Sequence, residues 1–296
     1  MPAHTHDGID WVARLADLRQ ADEANAPALR AVAERLIASV PAPRPTVLDV
    51  GSGAGGMSAA LARALAARSG GALVLVDAVP ELLAAAAEAA TAVAGSAVDV
   101  RTVRADLAEV RGLHAETDFG IPQADLVWAS NVAHHLPDQR DAVSALVGWL
   151  AQGGCLALAE GGLSTRCLPW DIGVGEPGLQ DRLIAAHGTW FHRMRTEMDG
   201  AVRLPVGWNL VLGEAGLADV TAFSYLVDVP APMDDVGRAA AVSWLEWMSH
   251  ATAELLTDTD RTTIARLLDR ADPAYLGARD DVFLLKAGTV HLGWRR

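Results

Sequence analysis

The sequence has little positive charge and almost no cysteine. Its 296 residues include one lysine, Lys286, and 37 acidic against 24 basic side chains, so the formal net charge is −13. An acidic surface repels the phosphate backbone of nucleic acids, and we therefore expect nucleic acid to be neither substrate nor partner. The cysteines, Cys155 and Cys167, form no C-x-x-C pair and have no metal-binding neighbours in the sequence. This pattern predicts reduced thiols and no metal site.

Long apolar runs are also missing. The stretch 1–10 is polar and contains His4 and His6, so it lacks the apolar centre of a secretory signal peptide. The most apolar stretch, 82–98, is mostly alanine and contains Glu88, which predicts a helix and a loop rather than a membrane span. We therefore expect a cytoplasmic protein without membrane association.

Glycine, by contrast, is concentrated in one short segment at 51–56. The apolar run 46–50 before it predicts a buried strand, and residues 57–67 after it are strong helix formers. A strand, a glycine-rich turn and a helix N-terminus in this order are typical of a nucleotide-binding site. Glycine lets a ligand approach the backbone closely, and the free N–H groups at the start of the helix face that ligand.

The spacing of these glycines leaves the identity of the nucleotide open. Gly51, Gly53 and Gly56 fit the dinucleotide spacing G-x-G-x-x-G. Gly51, Gly53 and Gly55 fit G-x-G-x-G equally well. The glycines alone are therefore weak support for either ligand class.

An acidic residue before the loop narrows the choice. The string Leu48-Asp49-Val50-Gly51-Ser52-Gly53 resembles the first motif of class I S-adenosylmethionine-dependent methyltransferases, which has an acidic residue two positions before the first glycine. The resemblance implies S-adenosylmethionine as cofactor, with the carboxylate of Asp49 near its ammonium group. It also implies loop contacts from Gly51, Ser52, Gly53 and Gly55.

Acidic residues also follow two later strands. The apolar run 72–77 ends in Asp77, 21 positions after Gly56. Doubly wound folds place a carboxylate on ribose hydroxyls at this point, and the resemblance gives Asp77 the same role on the adenosine ribose. The resemblance also implies that Asp106 accepts a hydrogen bond from the adenine amino group. Further cofactor contacts are expected from Ala78, Leu107 and Asn131.

Apolar strands and helical runs alternate through the first half of the chain. This order predicts a parallel sheet with right-handed crossovers, with strands at 46–50, 72–77, 99–104, 124–131 and 154–160. A helix at about 206–216, a strand at 218–229 and a last strand from 288 complete a seven-stranded, doubly wound, Rossmann-like α/β sheet. The resemblance implies that the last strand is antiparallel and lies between the fifth and the sixth.

We expect a single methyltransferase domain with helical additions. Its predicted parts are the N-terminal helices in 1–44, the cofactor-binding core at 45–162 and two insertions at 163–205 and 231–286. Both insertions are too long to be simple connections, so we expect them to form helices of a substrate-binding lid. In the N-terminal part, apolar spacing predicts a helix at 9–20 and a second helix at 27–39 that begins near Pro27.

The segment after the fourth predicted strand contains the candidate base. Residues 132–138, Val-Ala-His-His-Leu-Pro-Asp, are similar to the fourth motif of small-molecule methyltransferases. Nucleobase amino-methyltransferases have an Asp/Asn-Pro-Pro-aromatic string there instead. A hydroxyl nucleophile benefits from a base of near-neutral pKa, so His134 or His135 is predicted to be catalytic. The alternative is that these histidines bond backbone groups at the start of the following helix.

Aromatic and basic side chains of the later segments are the candidate substrate contacts. They are Trp170, Trp190, Arg193, Trp208, Trp244 and Trp247. The tryptophans could stack on an aromatic or extended substrate, or they could form the core of the lid. Arginine could orient a substrate carboxylate. The expected partner is a small molecule or a short peptide, and the sequence leaves open whether the protein is a homodimer.

These observations favour O-methylation of a small metabolite. The alanine- and arginine-rich, lysine-poor composition is typical of GC-rich bacterial coding sequences, in which many such enzymes act in natural-product biosynthesis. The alternatives are carboxyl methylation of a modified peptide and a methyltransferase fold without methyl transfer. An NAD(P)-dependent oxidoreductase fits the glycine spacing, but the Tyr-x-x-x-Lys pair of short-chain dehydrogenases is missing, since Val229 and Arg279 occupy the lysine positions.

Overall fold

The computed structural model describes residues 10–107 and 120–296, which contain seven β-strands and eight α-helices. The strands are β1 Thr46–Val50, β2 Gly71–Asp77, β3 Val98–Arg104, β4 Ala124–Ser130, β5 Leu150–Arg166, β6 Ala218–Val229 and β7 Leu284–Trp294. The helices are α1 Leu15–Ser39, α2 Gly56–Arg68, α3 Pro80–Ala94, α4 Gln139–Gly148, α5 Leu179–Glu197, α6 Trp208–Glu214, α7 Asp235–Ala251 and α8 Asp258–Leu268. Short 3₁₀ turns cover Gly95–Ala97, Ala133–His135, Ala253–Leu255 and Leu276–Ala278.

The strands form one sheet in the order β3-β2-β1-β4-β5-β7-β6. Strand β1 pairs in parallel with both β2 and β4, so that Val47 is opposite Leu73 on one side and Leu126 on the other. The pairs β2–β3 and β4–β5 are also parallel. The last strand is antiparallel and lies between β5 and β6. The predicted Rossmann-like doubly wound sheet is therefore confirmed.

Both faces of the central strands are buried, which explains their continuous apolar sequence. Side chains alternate between the two faces along a strand. Val47 and Leu73 belong to the core that packs under α1, α2 and α3. Leu48 and Val74 belong to the core on the opposite face, which includes residues of α4 and α6. This two-sided burial holds the carboxyl ends of the strands in fixed positions.

The N-terminal region forms one helix where two were predicted. Helix α1 runs from Leu15 to Ser39 and contains Pro27 in its interior. Proline removes one hydrogen bond and costs roughly 3 kcal/mol in a helix interior. The following part of the helix buries Val32 and Leu36 almost completely, and this packing against the core keeps the helix continuous. The first residue of the predicted helix at 9–20, like His4 and His6, lies outside the described residues.

The chain divides into two compact units. The first comprises 1–161, 198–225 and 288–296, and the second comprises 162–197 and 226–287. The second unit contains α5, α7 and α8, so the expectation that the insertions form helices is confirmed. That the whole of 1–296 is one methyltransferase domain, with 1–44 and 45–162 as parts of it and 163–205 and 231–286 as a lid, stays a prediction. None of the helices in the described ranges is long and apolar enough to cross a bilayer.

Candidate functional site

The glycine segment turns sharply at the carboxyl end of β1 and is bonded to the end of β2. The N–H groups of Gly51 and Ser52 donate to the carbonyl oxygen of Val76 at 2.8 and 3.3 Å. Gly51, Gly53 and Gly55 have φ values of 69°, 54° and 95°, in the left-handed region that favours glycine. Strand β1 lies where the strand order reverses, which is where open α/β sheets bind ligands.

The carboxylate of Asp77 closes this turn. Its Oδ2 accepts from the N–H of Gly53 and its Oδ1 from the N–H of Val79, both at 3.0 Å. Burial raises the pKa of Asp77, and these backbone hydrogen bonds oppose that rise. Each carboxylate oxygen can accept more than one hydrogen bond. Asp77 can therefore orient the loop and still accept from hydroxyl groups of a ligand.

The other predicted cofactor residues after β2 and β3 lie close to Asp77. The N–H of Ala105 donates to the carbonyl oxygen of Asp77 at 3.2 Å, and Nε of Arg104 donates to that of Ala78 at 3.3 Å. The negative charge of Asp106 raises the pKa of Asp77, so the two carboxylates are neighbours. Leu107 is buried. The ends of β1, β2 and β3 therefore bring together the acids that the sequence indicated.

Two features of the loop fit a bound ligand with hydrogen-bonding groups. The hydroxyl of Ser52 is buried and has no hydrogen-bond partner among the described residues. A buried hydroxyl without a partner is costly, and a ligand would satisfy it. At Gly53, a Cβ would meet no atom of the described chain within 4 Å. The backbone at that point therefore faces open space that a ligand could approach closely.

Asp49, the residue that narrowed the nucleotide class, lies beneath the loop. It is 1% exposed, and its Oδ2 accepts from the hydroxyl of Ser58 on α2 at 2.5 Å. Burial raises the pKa of Asp49 to about 7, the Ser58 hydrogen bond lowers it, and the nearby carboxylates of Asp77 and Asp22 raise it further. The predicted contact between Asp49 and an ammonium group stays a prediction.

The raised pKa of Asp49 gives a prediction for the stability of the ligand-free protein. The Asp49 carboxyl contributes fully to the free energy of unfolding below pH 3.8, which is its pKa in the unfolded chain. This contribution is lost as the pH rises to about 7, because the folded protein keeps a proton that the unfolded chain has already released. Asp49→Asn keeps a hydrogen-bonding group and cannot ionise. We expect it to be about 2–4 kcal/mol more stable than wild type at about pH 8 and equally stable at about pH 4.

Chemical denaturation across this pH range measures the effect. Asp17→Asn is the matched control, because Asp17 is an exposed aspartate on α1. Asp17→Asn should show the same pH dependence of stability as wild type. If Asp49→Asn also shows the wild-type pH dependence, the inference that Asp49 is buried in its protonated form is wrong.

A buried acid fixes one of the two predicted catalytic histidines. Glu160, near the end of the buried part of β5, is 3% exposed. Its Oε1 accepts from the N–H groups of Val132 and Ala133 at 2.9 and 2.8 Å. Its Oε2 lies 2.7 Å from Nδ1 of His134, whose side chain is 20% exposed. A carboxylate only accepts, so Nδ1 is the donor in this contact, and in a neutral imidazole the lone pair is then on Nε2.

The neighbours of this pair are also defined. The ring of His135 lies 4.1 Å from that of His134, centroid to centroid. Asn131, a predicted cofactor contact, has a φ of 55°, and its N–H donates to the carbonyl oxygen of Ala159 at 3.0 Å. On β7, burial lowers the pKa of His291 and the charge of Glu160 opposes this. Within 10–107 and 120–296, no group of three or more His, Cys, Asp or Glu side chains could hold a metal ion.

The candidate substrate residues fall into separate places. In the second unit, Trp190 and Trp247 form an edge-to-face pair with centroids 6.3 Å apart, and His187 contacts both rings. Arg193 lies 3.4 Å from a carboxylate oxygen of Glu254. The remaining tryptophans do not join this cluster in any described contact: Trp170 is 70% exposed, Trp208 packs against the core of the first unit, and Trp244 is half-buried.

Sequence reasoning missed Glu160 as a site residue. A signal was present, because Glu160 follows the apolar run Leu156–Ala159 just as Asp77 follows the apolar run of β2. It also missed Asp22, which reaches the glycine segment from α1. No local pattern in the sequence could have identified Asp22.

Comparison with known proteins gives a consistent assignment for the core. Residues 48–156 match the family model described as a methyltransferase domain. No curated protein matches the chain.

Several solved structures are similar in a general way. A candidate methyltransferase from Bacillus halodurans has 15% identity and a TM-score of 0.48, with 89% of this chain and 98% of that chain covered. The YcgJ protein from Bacillus subtilis has 18% identity and a TM-score of 0.46, with 90% and 98% covered. The CurJ carbon methyltransferase has 14% identity and a TM-score of 0.44, with 88% and 50% covered. Likenesses at this level support no argument about activity.

The family match begins within β1 and ends within β5, and it includes the glycine segment, Asp77 and the His134 region. The alternative of an NAD(P)-dependent oxidoreductase is set aside on this ground. The chain contains a methyltransferase domain at 48–156, and the methyl donor that this domain implies is S-adenosylmethionine.

Proposed function

We propose that the protein methylates a hydroxyl oxygen of a small metabolite and that His134 is the general base. The observation that carries this proposal is the 2.7 Å contact between His134 Nδ1 and the buried carboxylate of Glu160. This contact keeps the proton on Nδ1 and leaves Nε2 as the basic atom. A hydroxyl group is a weak nucleophile until it loses its proton, so a base in this form has a clear chemical use.

Glu160 would have two effects on this base. The N–H groups of Val132 and Ala133 hold its carboxylate from the other side, so its orientation is fixed before substrate binds. When Nε2 of His134 takes the hydroxyl proton, the ring becomes an imidazolium cation, and the adjacent carboxylate stabilises that charge. The base would therefore be oriented by one side chain.

The cofactor would be held by the segment around β1 and β2. Two groups of residues are predicted to contact the cofactor. The first is Gly51, Ser52, Gly53, Gly55 and Asp77, and the second, later in the chain, is Ala78, Asp106, Leu107 and Asn131. When bound, S-adenosylmethionine supplies an electrophilic methyl group on a positively charged sulfur. The contribution of the chain is to hold the acceptor oxygen in line with that group, and such positioning is worth roughly 10⁵–10⁸ M in effective concentration.

The arginines of the second unit give little support to carboxyl methylation of a peptide. Arg166 pairs with Asp181, and Arg193 pairs with Glu254. Both already face carboxylates of their own unit. A carboxylate nucleophile also needs no base, so the His134–Glu160 pair would have no role in ester formation. We therefore favour a phenol or alcohol over a peptide carboxylate.

The same proposal assigns substrate contacts to aromatic residues of the second unit. Trp190 and Trp247, with His187 against both, form a half-buried aromatic cluster that suits a flat apolar group. Trp170, Arg193, Trp208 and Trp244 stay predicted contacts without a described arrangement that favours them. A role in natural-product biosynthesis, a cytoplasmic location and a homodimeric state stay predictions as well.

A methyl-transfer screen tests the proposed function. The protein is incubated with isotopically labelled S-adenosylmethionine and a panel of phenols, alcohols, amines and carboxylates, including a peptide with a free C-terminus. We expect a mass increase of one labelled methyl group on a phenol or alcohol, in a product that resists mild alkali. A product that alkali hydrolyses would be a methyl ester and would contradict the proposal, as would label found only on nitrogen or carbon.

A further inference from the structure

The N-terminus of α2 is occupied by a side chain from α1. The carboxylate oxygen Oδ2 of Asp22 accepts from the N–H of Gly56 at 2.9 Å, across 34 positions of sequence. A Cβ placed on Gly56 would lie 2.4 Å from Cγ of Asp22. The carboxylate therefore sits directly against the first residue of α2, and glycine at position 56 is what gives it room.

This contact changes what the glycine segment can bind. A helix N-terminus after a glycine-rich turn attracts phosphate, because its N–H groups are free and the helix dipole is positive there. Here the first of these N–H groups already bonds an anion of the protein. A pyrophosphate brought to the same place would meet a carboxylate, and like charges close together repel strongly where solvent is partly excluded.

A second carboxylate adds to the negative charge around the segment. Asp77 bonds the N–H of Gly53, whereas burial beneath the turn raises the pKa of Asp49 to about 7. The negative charges of Asp22 and Asp77 both raise the pKa of Asp49, so each of the two lies close to Asp49. The segment therefore offers mainly negative charge and hydrogen-bond acceptors to a ligand.

We propose that Asp22 sets the charge selectivity of the glycine segment, excluding phosphate-bearing nucleotides and favouring a ligand with a cationic centre. S-adenosylmethionine has a sulfonium and an ammonium group against one carboxylate, whereas S-adenosylhomocysteine has no net charge. Asp22 thus explains how a chain with G-x-G-x-x-G spacing is closed to dinucleotides. The proposal goes beyond the proposed function and does not depend on the substrate or on His134.

Equilibrium binding by calorimetry tests this role without an activity assay. The ligands are S-adenosylmethionine, S-adenosylhomocysteine and ADP, and the variants are Asp22→Asn and Asp22→Ser, which keep an acceptor for Gly56 but lose the charge. We expect Asp22→Asn to lower the affinity for S-adenosylmethionine about tenfold relative to that for S-adenosylhomocysteine. The same variant should raise the affinity for ADP about tenfold. Asp17→Asn makes the same change of net charge at an exposed position of α1 and should alter neither ratio.

The outcomes separate the proposal from its rivals. Unchanged ligand ratios in both Asp22 variants, or equal changes in Asp17→Asn, would overturn it. An equal loss of affinity for all three ligands would also overturn it, since Asp22 would then only support the fold of the segment. If ADP binding is too weak to measure in every protein, the ratio of the other two ligands decides. Failure of the wild type to bind S-adenosylmethionine would instead contradict the cofactor itself.

Discussion

Replacement of His134 by alanine is expected to slow methyl transfer by about 10²- to 10⁴-fold, the usual contribution of a general base. Affinity for S-adenosylhomocysteine should not change, because the His134 side chain is held by Glu160 and its proposed role is in the chemical step. Single-turnover kinetics and calorimetry on the same preparation measure the two quantities. A loss of cofactor affinity equal to the loss of rate would show that His134 supports the binding site rather than the chemistry.

The neighbouring residues provide controls for this prediction. His135→Ala removes the adjacent ring, 4.1 Å away, and should reduce the rate much less than His134→Ala. Glu160→Gln keeps an oxygen for the N–H groups of Val132 and Ala133 but presents an amide to Nδ1. The amide favours the proton on Nε2, the wrong tautomer for a base, so this variant should also be slow. A slow His135→Ala with a normal His134→Ala would move the base to the other histidine.

Replacement of Gly53 by alanine is expected to weaken cofactor binding by about 100-fold or more, equivalent to about 2.7 kcal/mol. A Cβ at this position would meet no atom of the described chain within 4 Å, so the methyl group would point into the space that a ligand must enter. The N–H of residue 53 would still donate to Asp77. The main effect should therefore fall on binding rather than on folding, and calorimetry with S-adenosylhomocysteine measures it.

A matched control separates steric blocking from backbone strain. Gly95, at the end of α3, has a φ of 60°, and a Cβ at that position would likewise meet no described atom within 4 Å. Alanine at either position costs about 1–3 kcal/mol of stability, because a positive φ is unfavourable with a side chain and the φ and ψ of Gly95, 60° and −163°, lie in a region that is essentially restricted to glycine. Gly95→Ala should lose this stability and bind the cofactor normally. If both variants bind as wild type does, the cofactor does not approach Gly53.

Much of the fold could be predicted from local patterns. Apolar runs of strand length, each followed by a run of helix formers, gave the order of elements, because burial on both faces leaves a continuous apolar sequence. The strand at 218–229 was predicted with the bounds that the structure has. Pro27 misled the prediction, because the local cost of a proline in a helix was weighed without the packing of Val32 and Leu36 that offsets it.

The candidate site was predictable only in part, for a related reason. Asp49, Gly53 and Asp77 were found because they stand at fixed spacings in one βαβ unit. Glu160 lies 26 positions after His134, and Asp22 lies 34 positions before Gly56. These contacts form because the chain returns to the same edge of the sheet, and no periodic pattern records such a return.

The sequence by itself determined the class of fold, the glycine segment and the acids at the carboxyl ends of β1, β2 and β3. These features depend on the order of neighbouring residues, and the energies of strands, turns and helix starts are mostly local. Only the tertiary structure decided that Glu160 holds His134, that Asp22 occupies the start of α2, and that Asp49 is buried against Ser58. Those three contacts depend on which distant elements pack together, and it is packing that removes the carboxyl groups from water and gives them their chemistry.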